Sequence, residues 1–406
     1  MRTPTIQSYI KKTVPFKLNK HSLVFDTSQQ LFSSYTIDHG TQRLLRSIIK
    51  TKTPYSKVLD LGCGYGPIGL TLKTLKPHSQ IQLIDRDALA IDFVKHNAQK
   101  NKITDVDCYT SLGYRWVKDT DFDLIISNVP AKVGEDVLQE WLISSYYYLI
   151  PKGKVAIVVI DEINPVVQQL LSNTSIAIDY HHRWPGHHVY IYHFLNQPTI
   201  QQSTNLKPYL RNTIAIPFKK HTLEIETSHH LPEFDQPSYA TQVLLNHIAK
   251  LQYKSHPKQV MIINPNQGII PNAVATKFTR SQLHIVDRNL LALSTTLHNL
   301  KKIQSSTSPS TYCQSHITIS QNADFDMIIG ILPIKHNTNI YQQTLSEISQ
   351  QLHHEGTAIL ASSSTIISRV IPLLNHTNLK CRKRWKNKGQ SVIILNHKQA
   401  GSHQLI

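Results

Sequence analysis

Asp60, Gly62, Gly64 and Gly66 stand at alternate positions in the run Asp-Leu-Gly-Cys-Gly-Tyr-Gly. Glycine accepts backbone angles that other residues avoid and lets a ligand lie close to the main chain, so this spacing encodes a sharp turn with an open floor. The carboxylate just ahead of the turn can hold an ammonium group. A second acid, Asp85, follows one helix and one strand later, where a strand-end carboxylate can accept both hydroxyls of a ribose. Together these features make a nucleoside-binding crevice.

Spacing alone does not say which nucleoside. Gly64, Gly66 and Gly69 also satisfy G-x-G-x-x-G with an acid about 20 residues on, the dinucleotide fingerprint. Two features favour S-adenosylmethionine over NAD. Asp60 lies where NAD has no ammonium to offer, and the segment Ser-Asn-Val-Pro-Ala-Lys (127–132) ends a later strand across the crevice.

The elements that must position these groups alternate short β-branched runs with helical patterns, the mark of parallel βαβ units. Strands are predicted at 57–61, 81–84, 122–127 and 154–160, and helices at 67–75, 88–101 and 135–149. Two further strand-like runs, 175–180 and 188–194, are separated by Trp184-Pro185-Gly186 and form a closing hairpin that places one antiparallel strand in the sheet.

The chain carries this plan twice. VLDLGCGYGPIGL (58–70) aligns with VMIINPNQGIIPN (260–272), and Asp85 with Asp287, at the same offset of 202 residues. The apolar frame persists in both copies, whereas Asp60, Gly62, Gly64 and Asn128 become Ile262, Asn264, Asn266 and Ile331. The first copy reads as catalytic and the second as its silent duplicate. The expected boundaries are 1–197 for the first domain, 198–210 for a polar, proline-bearing linker, and 211–406 for the second domain.

At 406 residues the chain suits two domains of about 200 residues each. No stretch approaches the roughly 20 apolar residues of a membrane span, and the first twelve residues lack the apolar core of a secretory signal, so a cytoplasmic protein with no membrane partner is expected. Four cysteines, at 63, 108, 313 and 381, are too scattered for a disulfide framework or a zinc site. The 23 histidines include adjacent pairs such as His181-His182 and His353-His354, but adjacent side chains diverge and no HExxH or Cys/His spacing accompanies them, so no metal is expected. A formal net charge of +17 attracts polyanions. The densest basic run, with Arg382, Lys383, Arg384 and Lys386, falls in the silent copy and is a candidate RNA-binding element.

Taken in order, LFSSYTIDHGTQRLL, VLDLGCGYGPIGL, IDRDALAIDFVKHN and FDLIISNVPAKVG resemble the small-domain class of S-adenosylmethionine-dependent methyltransferases, and within it the duplicated bacterial ribosomal RNA guanine-N2 methyltransferases. The resemblance covers residues 15–195 strongly and the second half weakly. It implies two tandem Rossmann-like class I domains, each a mostly parallel seven-stranded sheet with a terminal antiparallel hairpin, the second copy degenerate. It also implies that Asp60, Gly62 and Gly64 lie along the methionine part of the cofactor, that Asp85 holds its ribose, and that Asp38, Gly40 and Thr41 belong to a segment closing over it. Asn128 and Pro130 match the first and third positions of an N-P-P-F/Y motif, whose Asn side chain and adjoining carbonyl accept hydrogen bonds from a planar amine. Val129 and Ala131 depart from that motif, and the second departure removes the aromatic that stacks on the substrate ring. Domain order departs too, since in those relatives the silent copy comes first.

The function so implied is N-methylation of a guanine N2 amine in ribosomal RNA, by a monomer whose two domains form an internal pseudo-dimer. Two alternatives stay open. One is methylation of a protein glutamine amide, which uses an Asn-Pro-Pro motif and the same amine geometry; the other is a non-catalytic RNA-binding or ribosome-assembly protein. For Asn128 alone, the plain alternative is a strand-end cap.

Overall fold

The computed structural model describes residues 6–172, 175–198, 205–252, 256–303, 308–320, 324–334 and 336–399. They form two compact units, one spanning Tyr9–Tyr209 and the other beginning at Leu210, with residues 6–8 grouped with the second.

The first unit opens with an antiparallel hairpin of β1 (Lys12–Leu18) and β2 (His21–Thr27). There follow α1 (His39–Lys50), β3 (Lys57–Leu61), α2 (Pro67–Leu75), β4 (Gln80–Asp85), α3 (Ala88–Lys100), β5 (Val106–Thr110), β6 (Phe122–Asn128), α4 (Glu135–Ile143), β7 (Leu149–Ile160), α5 (Asn164–Leu171), β8 (Ile176–Trp184) and β9 (His187–Phe194). The seven-stranded sheet runs β5-β4-β3-β6-β7-β9-β8, with β9 antiparallel to both neighbours. Strand order reverses at β3, which lies between β4 and β6, so a crevice opens at the carboxyl ends of these three strands.

Local chemistry accounts for the elements around that crevice. β3 is buried from Val58 onward, as a strand covered on both faces must be. Gly66 adopts a left-handed conformation and Pro67 takes the first turn of α2, where the missing N–H leaves no bond unmade. Asp87 caps α3 by accepting the Leu89 N–H. Asn97 of α3 and Asn101 at its C-cap then hold β2, accepting the Asp26 and Val24 N–H groups at 2.8 Å each. That contact docks an N-terminal hairpin that the sequence reading did not include.

The second unit repeats the plan. It contains β10 (Leu210–Phe218), β11 (His221–Ser228), α6 (Tyr239–Lys250), β12 (Gln259–Ile263), α7 (Ile269–Lys277), β13 (Gln282–Asp287), α8 (Leu290–Leu300), β14 (Ser310–Cys313), β15 (Phe325–Ile331), α9 (Thr338–Gln351), β16 (Leu352–Ser363), α10 (Ser364–Val370), β17 (Leu379–Asn387) and β18 (Gln390–His397). Its sheet order, β14-β13-β12-β15-β16-β18-β17, matches the first strand for strand. The tandem α/β architecture with a closing hairpin in each sheet is therefore as the sequence implied. No helix among the described residues is long and apolar enough to cross a membrane.

Two local expectations change. The helix expected over 135–149 stops at Ile143, and Ser144–Tyr148 tighten into a 3-10 turn. Serines and tyrosines are weak helix formers, and Tyr148 gains more by stacking on Tyr114, with ring centroids 4.4 Å apart. The expected linker is also not free to its end. Tyr209 is buried, its hydroxyl accepting the Trp141 Nε1–H at 3.3 Å, while the Arg115 guanidinium, paired with Glu140, lies 4.6 Å from its ring centroid. Residues 199–204 of that linker lie outside the described residues.

Candidate functional site

β3, β4 and β6 end side by side. Leu61 pairs with Ile84 and Asp60 with Ile126, so Gly62 stands just beyond the end of β3 beside Asp85 and Asn128, the last residues of β4 and β6. The N–H groups of Gly62 and Cys63 both donate to the Ile84 carbonyl at 2.9 Å, pulling the turn onto β4. Gly62, Gly64 and Gly66 have φ of +76°, +54° and +92°. A Cβ on Gly64 would meet no heavy atom within 4 Å, so the main chain there faces open space.

Asp85 is half-buried, with Oδ2 accepting the Gly64 N–H at 3.0 Å and Oδ1 the Asp87 N–H at 2.9 Å. Each oxygen keeps a lone pair, enough for two hydroxyl donors. Burial raises its pKa, and the backbone N–H donors oppose the rise. Asp60 has no exposed surface at all. Its Oδ2 accepts the Gly69 N–H at 2.8 Å, tying β3 to α2, while Oδ1 is buried without a hydrogen-bond partner. Burial pushes this carboxyl up to about 7, with the Gly69 N–H opposing and the Asp85 charge adding to the effect. An orphaned carboxylate oxygen, an open glycine backbone and a strand-end acid together fit S-adenosylmethionine, which carries an ammonium and a ribose. Trp141 had no sequence signal, yet its ring lies 3.6 Å from where a Gly62 Cβ would stand and walls this part of the turn.

Across the crevice, Asp38 caps α1, its Oδ2 accepting the Thr41 N–H at 3.1 Å. The same oxygen accepts one Asn128 Nδ2–H at 2.9 Å, and Thr41 Oγ1 accepts from Nδ2 at 3.0 Å. A carboxylate can only accept, so the amide must turn its NH2 toward Asp38. Oδ1 is then left as an acceptor with no protein partner among the described residues. Gly40 makes room for this: a Cβ there would stand 2.8 Å from Asp38 Oδ2 and 2.9 Å from the His187 ring. Asp38 and Thr41 thus both bond to Asn128. Pro130 is exposed. Val129 is buried and donates its N–H to the Val158 carbonyl at 3.0 Å, a sheet bond that a proline in its place could not make.

The second copy keeps the backbone of this site and fills it. Asn264, Asn266 and Gly268 retain positive φ, and asparagine tolerates that conformation better than other side chains do. Asn264 Nδ2 donates to the Ile331 carbonyl at 2.8 Å, bridging the strand ends that carry Gly62 and Asn128 in the first copy. Asp287 survives, accepting the Asn289 N–H at 2.7 Å, but Ile262, Ile331 and Ala240 stand where Asp60, Asn128 and Gly40 do their work.

The basic run of the second copy is not one patch. A bulge between Cys381 and Lys383 interrupts β17, beyond which alternate residues point to opposite faces. Lys383 lies 4.8 Å from the Trp385 ring centroid, whereas Arg384 donates to Ser364 O, Ser368 Oγ and Ser391 Oγ on the other side. Arg382, Lys383 and Lys386 are exposed and Arg384 is engaged in the fold. Among the described residues, no cluster of three or more His, Cys, Asp or Glu could hold a metal.

Residues 22–180 match the family described as methyltransferase small domain. The uncharacterized protein YbxB of Bacillus subtilis (strain 168) is 31% identical over 157 residues, which cover 38% of this chain and 77% of that protein. Ribosomal RNA small subunit methyltransferase C of Buchnera aphidicola subsp. Baizongia pistaciae is 33% identical over 152 residues, 36% of this chain, and the match spans 46% of that protein, less than half its length. In fold, the chain is similar to the T. thermophilus 16S rRNA N2 methyltransferase in complex with AdoMet and guanosine, with a TM-score of 0.66 over 97% of this chain and 100% of that one, at 13% identity.

Proposed function

This chain belongs to the small-domain family of S-adenosylmethionine-dependent methyltransferases, and on that premise we propose that its first domain methylates the exocyclic N2 amine of a guanine in ribosomal RNA. The observation that carries the reading is Asn128, whose NH2 is held by Asp38 and Thr41 so that Oδ1 stands as a fixed acceptor beside the glycine turn. A planar amine that donates an N–H to this oxygen is held in one orientation, with its nitrogen directed at the cofactor. When bound, the cofactor supplies a methyl group on a cationic sulfur, which leaves with the bonding pair as the N–C bond forms and the amine loses a proton to water. The chain contributes alignment. Asp85 and the Gly64 backbone hold the nucleoside, Asp60 offers its free oxygen to the ammonium, and Asn128 orients the amine, which is the larger part of catalysis when no covalent intermediate is needed. The net charge of +17 favours a polyanionic substrate over a protein amide, and two of the relatives above carry ribosomal RNA in their names.

The test is direct. The full chain is incubated with isotopically labelled cofactor and stripped ribosomal RNA, and the digested RNA is read by mass spectrometry. Labelled N2-methylguanosine is the expected product, and Asn128→Ala should lose it while binding cofactor as tightly as the wild type. No labelled nucleoside in the RNA, or label on a glutamine in a parallel incubation with release factor, refutes the proposal.

A further inference from the structure

Phe32 and Tyr35 are large apolar side chains left in solvent, 72% and 58% exposed, on the segment between β2 and α1. Their backbone is not loose. The carbonyls of Ser33, Ser34 and Tyr35 accept in turn from Tyr65 Oη at 3.3 Å, Thr27 Oγ1 at 2.7 Å and Lys12 Nζ at 3.4 Å. Ser33 is held at a positive φ of 57°, a conformation that persists only where the surroundings impose it. Folding therefore fixes the main chain and presents both rings outward.

The placement ties the two rings to the crevice. Tyr65, which holds Ser33, belongs to the glycine turn, and Asp38, which holds Asn128, lies three residues after Tyr35. Three residues of chain span at most about 10 Å. The segment is thus pinned to both walls of the site, with one ring on either side of Ser33. Pro130, Ala131 and Lys132, the exposed residues near Asn128 on the same loop, offer no aromatic ring to cover a base.

The silent copy serves as an internal control. Thr227 Oγ1 donates to the Phe234 carbonyl as Thr27 does to Ser34, and Glu233 shares the positive φ of Ser33, which fixes the register at an offset of 200 residues. Pro232 then stands for Phe32 and Asp235 for Tyr35, and Asp235 pairs with Arg211 at 2.9 Å. The loop geometry was kept where the cofactor residues were lost, but neither ring position was: the one aromatic among residues 232–235 is Phe234, at the place of Ser34, and it is only 36% exposed with the Arg211 guanidinium 4.3 Å from its ring centroid. Rings needed only for folding would have no reason to disappear together with Asp60 and Asn128.

We propose that Phe32 and Tyr35 form the stacking platform for the target base, an unstacked purine of single-stranded RNA, and so set substrate class at the site. The proposal rests on the base-methylation reading above, but its test is separable from it. Aromatic side chains hold bases without regard to sequence, and each stack lost weakens binding by roughly tenfold or more.

The probe is a short unstructured oligoribonucleotide carrying one 2-aminopurine, whose emission is quenched on stacking, added to the full chain with S-adenosylhomocysteine present. Wild type should quench it. Phe32→Ala and Tyr35→Ala should each bind about tenfold more weakly or worse with less quenching, with unchanged melting temperature and cofactor affinity, and Phe32→Trp and Tyr35→Phe should restore both signals. Alanine variants that bind and quench like wild type, or a wild type that does neither, overturn the platform whatever the fate of the methylation assay. If the variants lose quenching but wild type labels no ribosomal RNA, the guanine reading fails and the platform stands. If they instead lose methylation of a protein amide with oligonucleotide binding unmoved, the rings hold a peptide and the RNA assignment falls.

Discussion

Gly40→Ala is the most informative single change, because the residue touches no reacting group and yet sets the position of one that does. Gly40 lies in the first turn of α1, where alanine is no strain on the backbone and should favour the helix by somewhat under 1 kcal/mol. Its Cβ, however, would stand 2.8 Å from Asp38 Oδ2, where ordinary contact begins at 3.4 Å. The carboxylate must retreat by the difference, about 0.6 Å. If it moves away from Asn128, the 2.9 Å bond to Nδ2 lengthens to about 3.5 Å, beyond useful hydrogen-bond range. A hydrogen bond to a charged group contributes about 1.5–3 kcal/mol, so orientation of Oδ1 should weaken enough to slow methyl transfer roughly ten- to a hundred-fold. The assay is a single-turnover rate with labelled cofactor, alongside a cofactor titration and a melting curve. The expected result is a slow enzyme with near-normal melting temperature and cofactor affinity. Wild-type rate in Gly40→Ala would refute the positioning argument, and a rate lost together with cofactor binding would return Asp38 and Gly40 to a cofactor role. Ala240→Gly in the silent copy should change neither the rate nor the cofactor affinity.

Three further outcomes are expected. Asp85→Ala should weaken cofactor binding by about 1–3 kcal/mol, since it removes the acceptors for the ribose, whereas Asp287→Ala should leave calorimetric binding at one site per chain unchanged. The Asp60 carboxyl is pushed up to about 7 by burial, from an ordinary 3.8, so the folded state binds an extra proton and this contribution to stability is full below about 3.8 and lost as pH rises through about 7. The melting temperature of the wild type should therefore fall from about pH 5 to about pH 8 more steeply than that of Asp60→Asn, and equal slopes would show that no buried charge is being created. In the second copy, Lys383→Ala and Lys386→Ala should each flatten the salt dependence of RNA binding by a little under one log unit per log unit if they meet phosphates, while Arg384→Ala should lower the melting temperature instead, because its guanidinium is tied to three serines.

The tandem duplication, the α/β class and the loss of Asp60, Gly62, Gly64 and Asn128 from the second copy were all legible in the residue order. The reason is that their signals are local: β-branched runs bounded by turns declare strands, glycines at alternate positions declare a left-handed turn, and Ile262 or Asn264 in the matching place declares its loss. What each side chain at the site does was decided by closure of the fold. Asp38 and Asn128 are 90 residues apart in the chain and meet only because α1 packs across the end of β6. Asn264 seals the second crevice through a bond to Ile331, 67 residues away. Tyr209, taken as linker, is buried because Trp141 and Arg115 wait for it on the first domain. The basic run reads as one patch until β17 forms, because strand geometry sends Lys383 and Arg384 to opposite faces. Phe32 and Tyr35 look like core residues in any hydrophobic count. Only the tethering of three successive carbonyls to the domain turns them outward, since a main chain held on its inner side leaves its side chains nowhere to go but solvent.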